Sequence, residues 1–218
     1  MPKKITKKTI SNNAQQLSFF NDEVSHRMII VEGMDNTGKT TLIQRLIRES
    51  GRGKLAAMVS LGPNQPTLKQ FHWIDKQIKD SCLGNQLMVY DRFLPICDAV
   101  YGPILRKGSL WSNNHLILLE LLEKANPLII YARPHKDSVI TGFSDGREQM
   151  DGVIENAQFL LKAYDNIMVD LDKKGFNIIT YNYLKNEDTK DSRLDIKDMP
   201  GLNFNGVSDI VKEVIKNY

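Results

Sequence analysis

Two glycines, a lysine and a threonine near the start of the chain have a spacing that suits phosphate chemistry. Gly33, Gly38, Lys39 and Thr40 match G-x-x-x-x-G-K-[ST], the P-loop pattern, between an apolar segment and a helical one. In such a loop, backbone N–H groups and the positive end of the helix dipole bind a polyphosphate. We expect Lys39 to reach the β- and γ-phosphates and the Thr40 hydroxyl to ligate Mg²⁺. The predicted nucleotide-binding residues are Gly33, Met34, Asp35, Asn36, Thr37, Gly38, Lys39, Thr40 and Thr41.

Further charged residues indicate that the site transfers a phosphoryl group as well as binding a nucleotide. Asp91 and Arg92 follow an apolar segment, so we expect them at the carboxyl end of a strand beside the P-loop. The Asp91 carboxylate suits acceptance of a hydroxyl proton or binding of Mg²⁺ through water, and the Arg92 fork suits a phosphate. Arg133 and Arg147 flank a glycine-containing loop, where a lid arginine would neutralise charge that develops during phosphoryl transfer.

Each of these predictions has a structural alternative. Asp91 and Arg92 could form an ion pair that only holds the fold together, since such networks are common. Arg133 and Arg147 could be ordinary surface charges. We predict catalytic roles for Asp91, Lys39 and Arg147, acceptor or phosphate binding for Arg92 and Arg133, and metal binding for Thr40 and Asp91.

Apolar segments alternate with amphipathic segments along the rest of the chain, which predicts an α/β fold with a parallel sheet covered on both faces. The predicted strands are 28–32, 55–61, 87–93, 127–131 and 176–181. The predicted helices are 39–50, 67–82, 113–124, 152–174 and 206–217, with a loop and short helix over 98–108 and a surface loop over 185–200.

Length and composition predict one globular domain. The chain has 218 residues, of which 41% are hydrophobic and 25% charged, with a net charge of +3. Residues 1–26 form a basic and polar extension, either a solvated tail or an arm that binds the phosphates of a nucleic acid, and 27–218 form the P-loop domain. No apolar run approaches the roughly 20 residues of a membrane span. We therefore expect a cytoplasmic protein.

Two motifs carry a resemblance to a known family. The segment 32–41 closely resembles the P-loop of thymidylate kinases, with a glutamate before the first glycine and an aspartate inside the loop. Tyr90-Asp91-Arg92-Phe93 resembles their Asp-Arg-aromatic motif, and Arg147 falls where a lid arginine would. The resemblance implies the thymidylate-kinase-like branch of P-loop kinases, with a sheet of about five parallel strands and ATP with Mg²⁺ as donor.

The chain departs from thymidylate kinases in the segment that would bind the acceptor. Only about thirty residues separate Leu61 from Asp91, and no arginine occurs between Arg52 and Arg92. This compact form, with Val100-Tyr101-Gly102-Pro103-Ile104-Leu105-Arg106 after the Asp-Arg motif, resembles phage hydroxymethyluracil DNA kinases. Those enzymes phosphorylate the 5-hydroxymethyl group of the base within DNA during thymidine hypermodification. The resemblance favours DNA with a modified pyrimidine as the acceptor and, for a phage protein, the host cytoplasm.

Two other functions stay open at this point. The first is a deoxynucleoside monophosphate kinase that acts on dTMP, dUMP or hydroxymethyl-dUMP. The second is a P-loop switch or binding module that works through a partner, against which Asp91-Arg92 and the lid-like loop argue. The sequence gives no oligomeric state.

Overall fold

The computed structural model describes residues 28–49, 67–83, 88–106, 108, 115–134, 151–182, 201–205, 210–212 and 214. Its strands are β1 (Met28–Glu32), β2 (Met88–Asp91), β3 (Leu128–Ala132), β4 (Asn177–Asn182) and β5 (Leu202–Asn205). Its helices are α1 (Lys39–Glu49), α2 (Thr67–Leu83), α3 (Leu94–Leu105), α4 (His115–Ala125) and α5 (Ala157–Lys173).

The five strands form one parallel sheet in the order β2-β1-β3-β4-β5. β1 lies between β2 and β3, with Val31 opposite Asp91 and Glu32 opposite Tyr131. Because the strands are parallel, their carboxyl ends meet at one edge of the sheet. This edge carries the P-loop after β1 and polar residues after both neighbouring strands, and it is where α/β sheets bind ligands.

Both faces of the sheet are covered, as the alternating pattern predicted. Every residue of β1 is buried, with Met28 and Ile30 in one core cluster and Ile29 and Val31 in the other. The first cluster includes residues of α2 to α5, and the second includes residues of α1 and of the chain near its end, such as Ile210. The prediction of an α/β fold with a sheet of about five parallel strands is confirmed.

The prediction of a loop and short helix over 98–108 is wrong. α3 is a continuous helix that begins at Leu94 and ends at Leu105. Pro95 lies in its first turn, where no N–H donor is needed, and Pro103 lies close enough to the end that most of the helix is unaffected. Burial of Val100 and Tyr101 against the core stabilises the helix over this segment.

The sequence also missed a strand. The prediction ended the sheet at 176–181, but β5 follows it and pairs with β4, with Ile179 opposite Leu202. β5 has only four residues, of which two are asparagines, so its apolar pattern is too short to stand out. The predicted strand 55–61, the loop 185–200 and the extension 1–26 lie outside the described residues.

The predicted helices near 39–50, 67–82 and 113–124 are confirmed within two residues at each end. The long helix predicted over 152–174 begins later, at Ala157, after turns over 151–156 in which Gly152 has a φ of +81°. Residues 210–212 and 214 are helical, as the prediction of a helix over 206–217 requires of them. Among the helices described, none has the length and apolar character that crossing a bilayer requires.

Candidate functional site

The loop between β1 and α1 has a backbone that the two glycines make possible. Gly33 has a φ of +138° and Gly38 a φ of +79°, and Asn36 between them has a φ of +60°. A Cβ on Gly33 would lie 2.5 Å from the carbonyl oxygen of Ala132, so the loop passes against the end of β3 with no room for a side chain. Glycine adopts such positive φ angles at little cost, and asparagine tolerates the left-handed region better than most residues.

Lys39 lies inside this loop rather than in solvent. Its Nζ donates to the carbonyl oxygen of Met34 and lies 3.5 Å from Thr37 Oγ1, which itself donates to the same carbonyl at 2.8 Å. Burial, together with the charge of Arg92, lowers the pKa of Lys39 to about 8. Asp35, Asp91 and Glu32 partly offset this effect by favouring the ammonium form.

Arg92 links the end of β2 to the P-loop. Its Nη2 forms an ion pair with Asp35, and its guanidinium lies over the ring of Tyr101, 5.3 Å from the centroid. The Tyr101 hydroxyl donates to Asp35 Oδ2 at 3.1 Å. The sequence alternative paired Arg92 with its neighbour Asp91, whereas this ion pair joins residues 57 positions apart. It therefore holds the P-loop and the Asp-Arg motif together.

Asp35 and its cationic neighbours, Arg92 and Lys39, affect one another's pKa values. Burial opposes the ionisation of Asp35, but the charges of Arg92 and Lys39 outweigh that effect and lower the pKa of its carboxyl. Burial likewise disfavours the charged form of Arg92, and the surrounding groups, Asp35 among them, raise its pKa well above the usual value. Arg92 Nε is buried and has no hydrogen-bond partner among the residues that the structure describes.

Glu32 is a buried carboxyl group at the base of the P-loop. Its Oε1 accepts the backbone N–H of Phe93 at 2.5 Å, and its Oε2 accepts the hydroxyl of Tyr164 on α5 at 3.3 Å. Burial raises its pKa to about 7, although the Phe93 hydrogen bond and the charges of Arg92 and Lys39 favour ionisation. The carboxyl group thus connects β1, the turn after β2 and α5.

Asp91 and Thr40 are the residues predicted to bind Mg²⁺. Asp91 is half-buried at the end of β2, and Thr40 is exposed in the first turn of α1. In the described ranges, no three His, Cys, Asp or Glu side chains form a group that would hold a metal by themselves. One carboxylate and one hydroxyl fit the way Mg²⁺ is usually bound, with phosphate oxygens and water completing its ligands.

Arg133, which follows β3, is 3% exposed and has several protein partners. Its Nε and Nη2 donate to the two carboxylate oxygens of Asp165 on α5, at 2.9 and 3.0 Å, and its Nη1 donates to the Pro134 carbonyl at 2.6 Å. The Tyr131 hydroxyl also donates to Asp165, at 2.7 Å. Phosphate binding by Arg133 stays a prediction, and this geometry favours a structural role.

Similar proteins were found only at the level of structure. No family model matches the chain, and no curated protein matches its sequence. The YorR protein of Bacillus subtilis, solved in complex with phosphorylated GDP, aligns with a TM-score of 0.54 at 20% identity, over 71% of this chain and 85% of YorR. The chain shares with YorR an α/β fold built on a parallel sheet with helices on its faces.

A second solved structure is less similar. Deoxyadenosine kinase from M. mycoides, solved with dCMP and a flexible dCDP, aligns with a TM-score of 0.43 at 14% identity. The alignment covers 87% of this chain and 94% of the kinase.

Within this α/β fold, the sequence-predicted residues fall into three groups. Lys39, Asp91 and Arg92 lie at the carboxyl edge of β1 and β2 with the loop 33–41, while Arg133 lies at the same edge but contacts α5. Arg147 and the lid-like loop around it lie outside the described residues.

Sequence reasoning missed several residues that build this edge. Glu32 entered only as part of a family motif, and Tyr101, Tyr164 and Asp165 were given no role. A usable signal existed for Glu32, since a charged residue that continues a run of four apolar strand residues must be buried with partners. Tyr101, Tyr164 and Asp165 contact residues that are distant in the sequence, and no local sequence pattern reveals such contacts.

Proposed function

We propose that this protein transfers the γ-phosphoryl group of ATP to a hydroxyl group of a pyrimidine deoxynucleotide. The observation that carries the proposal is the ion pair between Arg92 and Asp35, because it assembles the Asp-Arg motif with the P-loop. The contacts of Lys39 with the P-loop support it, since a β- or γ-phosphate oxygen would replace the Met34 carbonyl as partner of Nζ.

The residues at this edge have complementary tasks in such a transfer. The Asp91 carboxylate accepts the proton of the acceptor hydroxyl, whose oxygen forms a bond to the γ-phosphorus as the bond to the β–γ bridging oxygen breaks. Lys39 stabilises the negative charge on the phosphates, and ADP leaves. Arg92 binds a phosphate of the acceptor while Asp35 holds the guanidinium in place. Mg²⁺, held by Thr40 and, through a water, by Asp91, would neutralise charge on the β- and γ-phosphates.

Arg147 completes this assignment as the lid arginine. A lid arginine acts mainly on the charge that develops during transfer, so it should contribute more to turnover than to nucleotide binding. The variant Arg147→Ala should therefore lose kcat while its affinity for ATP stays close to that of the native protein. Equal losses of both would assign Arg147 to ground-state binding.

The favoured acceptor is the 5-hydroxymethyl group of hydroxymethyluracil in DNA, as the compact Asp-Arg segment suggests. A basic face on α2 supports this choice. Lys69, His72, Lys76 and Lys79 are exposed, and their spacing places them on one side of the helix, opposite the buried Ile74. Lys76 and Lys79 pair with Asp80 and Asp75 in partly exposed ion pairs, which a DNA phosphate would displace at small cost.

The alternative acceptor is a free nucleotide, dTMP, dUMP or hydroxymethyl-dUMP, and a common assay separates the candidates. Radiolabelled ATP is incubated with each nucleotide and with hydroxymethyluracil-bearing duplex DNA, and labelled product is measured. Transfer to DNA supports the favoured acceptor, and transfer to free nucleotides alone supports a deoxynucleoside monophosphate kinase. ATP hydrolysis that no acceptor accelerates would instead indicate a P-loop switch.

Salt dependence adds a second test of the DNA acceptor. Binding to DNA releases counterions, so log K falls steeply with log salt, by roughly 0.9 per phosphate neutralised. Deleting residues 1–10, with their four lysines, should reduce the slope by up to about four units. Changing Lys69, Lys76 and Lys79 together to glutamine should reduce it by up to about three units. Neither change should alter the KM for ATP.

A further inference from the structure

The turn that carries Asp91 and Arg92 is fixed by two consecutive backbone N–H groups. The N–H of Arg92 donates to the carbonyl of Val31 at 2.9 Å, and the next one, of Phe93, donates to the carboxyl group of Glu32 at 2.5 Å. Both acceptors belong to the end of β1, immediately before the P-loop. The first bond continues the pairing of the two strands, whereas the second depends on a side chain.

This turn is held in a conformation that an arginine would not choose by itself. Arg92 has a φ of +67°, in the left-handed region that costs a residue with a side chain free energy and persists only where the surroundings enforce it. The strained backbone determines where the guanidinium goes, and that guanidinium contacts Asp35 in the P-loop. Whatever holds the peptide after Arg92 therefore sets the position of Arg92 relative to the phosphate site.

We propose that Glu32 is a positioning residue, which holds the Asp91-Arg92 turn in its catalytic geometry by accepting the N–H of Phe93. The proposal rests on the proposed phosphoryl transfer for its kinetic consequences, but its structural content is independent of it. Glu32 contacts no substrate in this assignment, and it acts on Arg92 through the peptide that follows Arg92.

Burial of this carboxyl group is costly, which argues that it does more than fill space. It is fully buried, and its charged form is disfavoured by desolvation. The charged and titratable groups that face it are Lys39 on α1, Arg92 after β2, Cys97 on α3 and Tyr164 on α5. Two of them are cations that also belong to the phosphate site, so the carboxylate balances charge there as well.

Three variants separate a positioning role from a purely structural one. Glu32→Ala removes the acceptor, Glu32→Gln keeps its size and an oxygen but removes the charge, and Tyr164→Phe removes only the second hydrogen bond, at Oε2. We expect kcat to fall about 100-fold in the alanine variant and about tenfold in the glutamine variant, as for loss of a charge-assisted hydrogen bond and of its charge. Tyr164→Phe should stay within threefold of the native protein, and the Kd for ATP should change less than threefold in Glu32→Gln.

Glu32→Gln is expected to change thermal stability and kcat in opposite directions. The pKa of Glu32 in the folded protein, about 7, exceeds its usual value of 4.5, so the folded state favours the protonated form. Stability from this group is therefore present below pH 4.5 and is lost as the pH rises to 7 and above. Glu32→Gln should have a Tm close to that of the native protein at pH 5 and a higher Tm at pH 8, although it is the slower enzyme.

A measurement that requires no activity tests the contact itself. The amide proton of Phe93 should shift with pH in NMR spectra, with a midpoint near 7, and this titration should vanish in Glu32→Gln. A Phe93 amide with the same chemical shift in folded Glu32→Ala as in the native protein would overturn the proposal even if the protein transfers no phosphate. If the native protein does transfer phosphate, an alanine variant with native kcat, or a Tyr164→Phe loss equal to that of Glu32→Ala, would overturn it as well.

Discussion

Two arginines follow neighbouring strands of the same sheet, yet their surroundings differ. Arg92 after β2 has a side chain that is 27% exposed, a left-handed backbone and an ion pair with Asp35 in the P-loop. Arg133 after β3 has a side chain that is 4% exposed and binds the carboxylate of Asp165 on α5 through two nitrogens. The sequence analysis predicted acceptor or phosphate binding for both.

The difference shows that position at the sheet edge does not decide the role of an arginine. Arg92 pairs with Asp35 of the P-loop, so its charge belongs to the candidate site. Arg133 pairs with Asp165 on α5, and the Tyr131 hydroxyl donates to the same carboxylate. These donors hold α5 against the end of β3. We therefore expect changes at Arg92 to affect turnover and changes at Arg133 to affect stability.

The largest expected effect is on stability, at Arg133. Arg133→Ala leaves the Asp165 carboxylate with a buried tyrosine as donor and no cation, and breaking such a pair costs about 3–5 kcal/mol. The free energy of unfolding, measured by urea titration, should fall by that amount, while the fraction that stays folded keeps the native Kd for ATP. A variant of native stability with lost turnover would place Arg133 in the phosphate site.

The same substitution at Arg92 should lower turnover strongly and stability only slightly. Arg92→Ala removes a cation from the candidate site, and loss of one such group is expected to lower kcat about 100- to 1000-fold. Its effect on unfolding should be smaller than that of Arg133→Ala, because both side chains of the Arg92–Asp35 pair are more exposed than those of the Arg133–Asp165 pair. Steady-state transfer assays and urea titration of the two alanine variants, side by side, give the comparison. An unfolding change as large as that of Arg133→Ala would remove the distinction.

Asp91 provides the next test, since it lies beside Arg92 in sequence. Asp91→Asn keeps the size of the side chain and removes its charge and basicity, so kcat should fall about 100-fold through the loss of a general base. Thermal stability should barely change. Unchanged kcat together with a lower Tm would show that Asp91 is a member of a structural ion pair.

The smallest expected effects come from lysine at either arginine position, because the charge is kept and only the planar fork is lost. Arg92→Lys should lower kcat about tenfold, as one charge-assisted hydrogen bond weakens. Arg133→Lys should lower the free energy of unfolding by about 1–2 kcal/mol, because lysine cannot contact both oxygens of Asp165. Equal responses of both variants in both assays would contradict separate roles.

The sequence predicted the parts of this molecule that rest on local pattern. The apolar run before Gly33 and the spacing of Gly38 and Lys39 predicted β1, the loop and α1, since both the strand and the loop are encoded within about twenty residues. The position of Asp91 followed from the rule that parallel strands end at one edge. β5 was missed because four residues with two asparagines carry too little pattern.

The partners of the charged residues could not be predicted in the same way. The bond from Phe93 to Glu32 joins positions 61 apart, and that from Arg133 to Asp165 joins positions 32 apart. The first depends on which strands pair, and the second depends on which helix packs on the sheet. The sequence around either residue does not specify its partner. Nothing in the sequence near Arg133 indicates that α5 places the Asp165 carboxylate at the end of β3.

The central claim is that the P-loop delivers the γ-phosphoryl group of ATP to an acceptor hydroxyl. The direct measurement is transfer of label from γ-labelled ATP to hydroxymethyluracil-bearing DNA and to free pyrimidine nucleotides, by the native protein and by Lys39→Ala. The native protein should label one of these acceptors, and folded Lys39→Ala should be at least about 100-fold slower, because a fixed charge on the phosphates is lost. Near-native transfer by folded Lys39→Ala, or no labelling of any acceptor, would contradict the account.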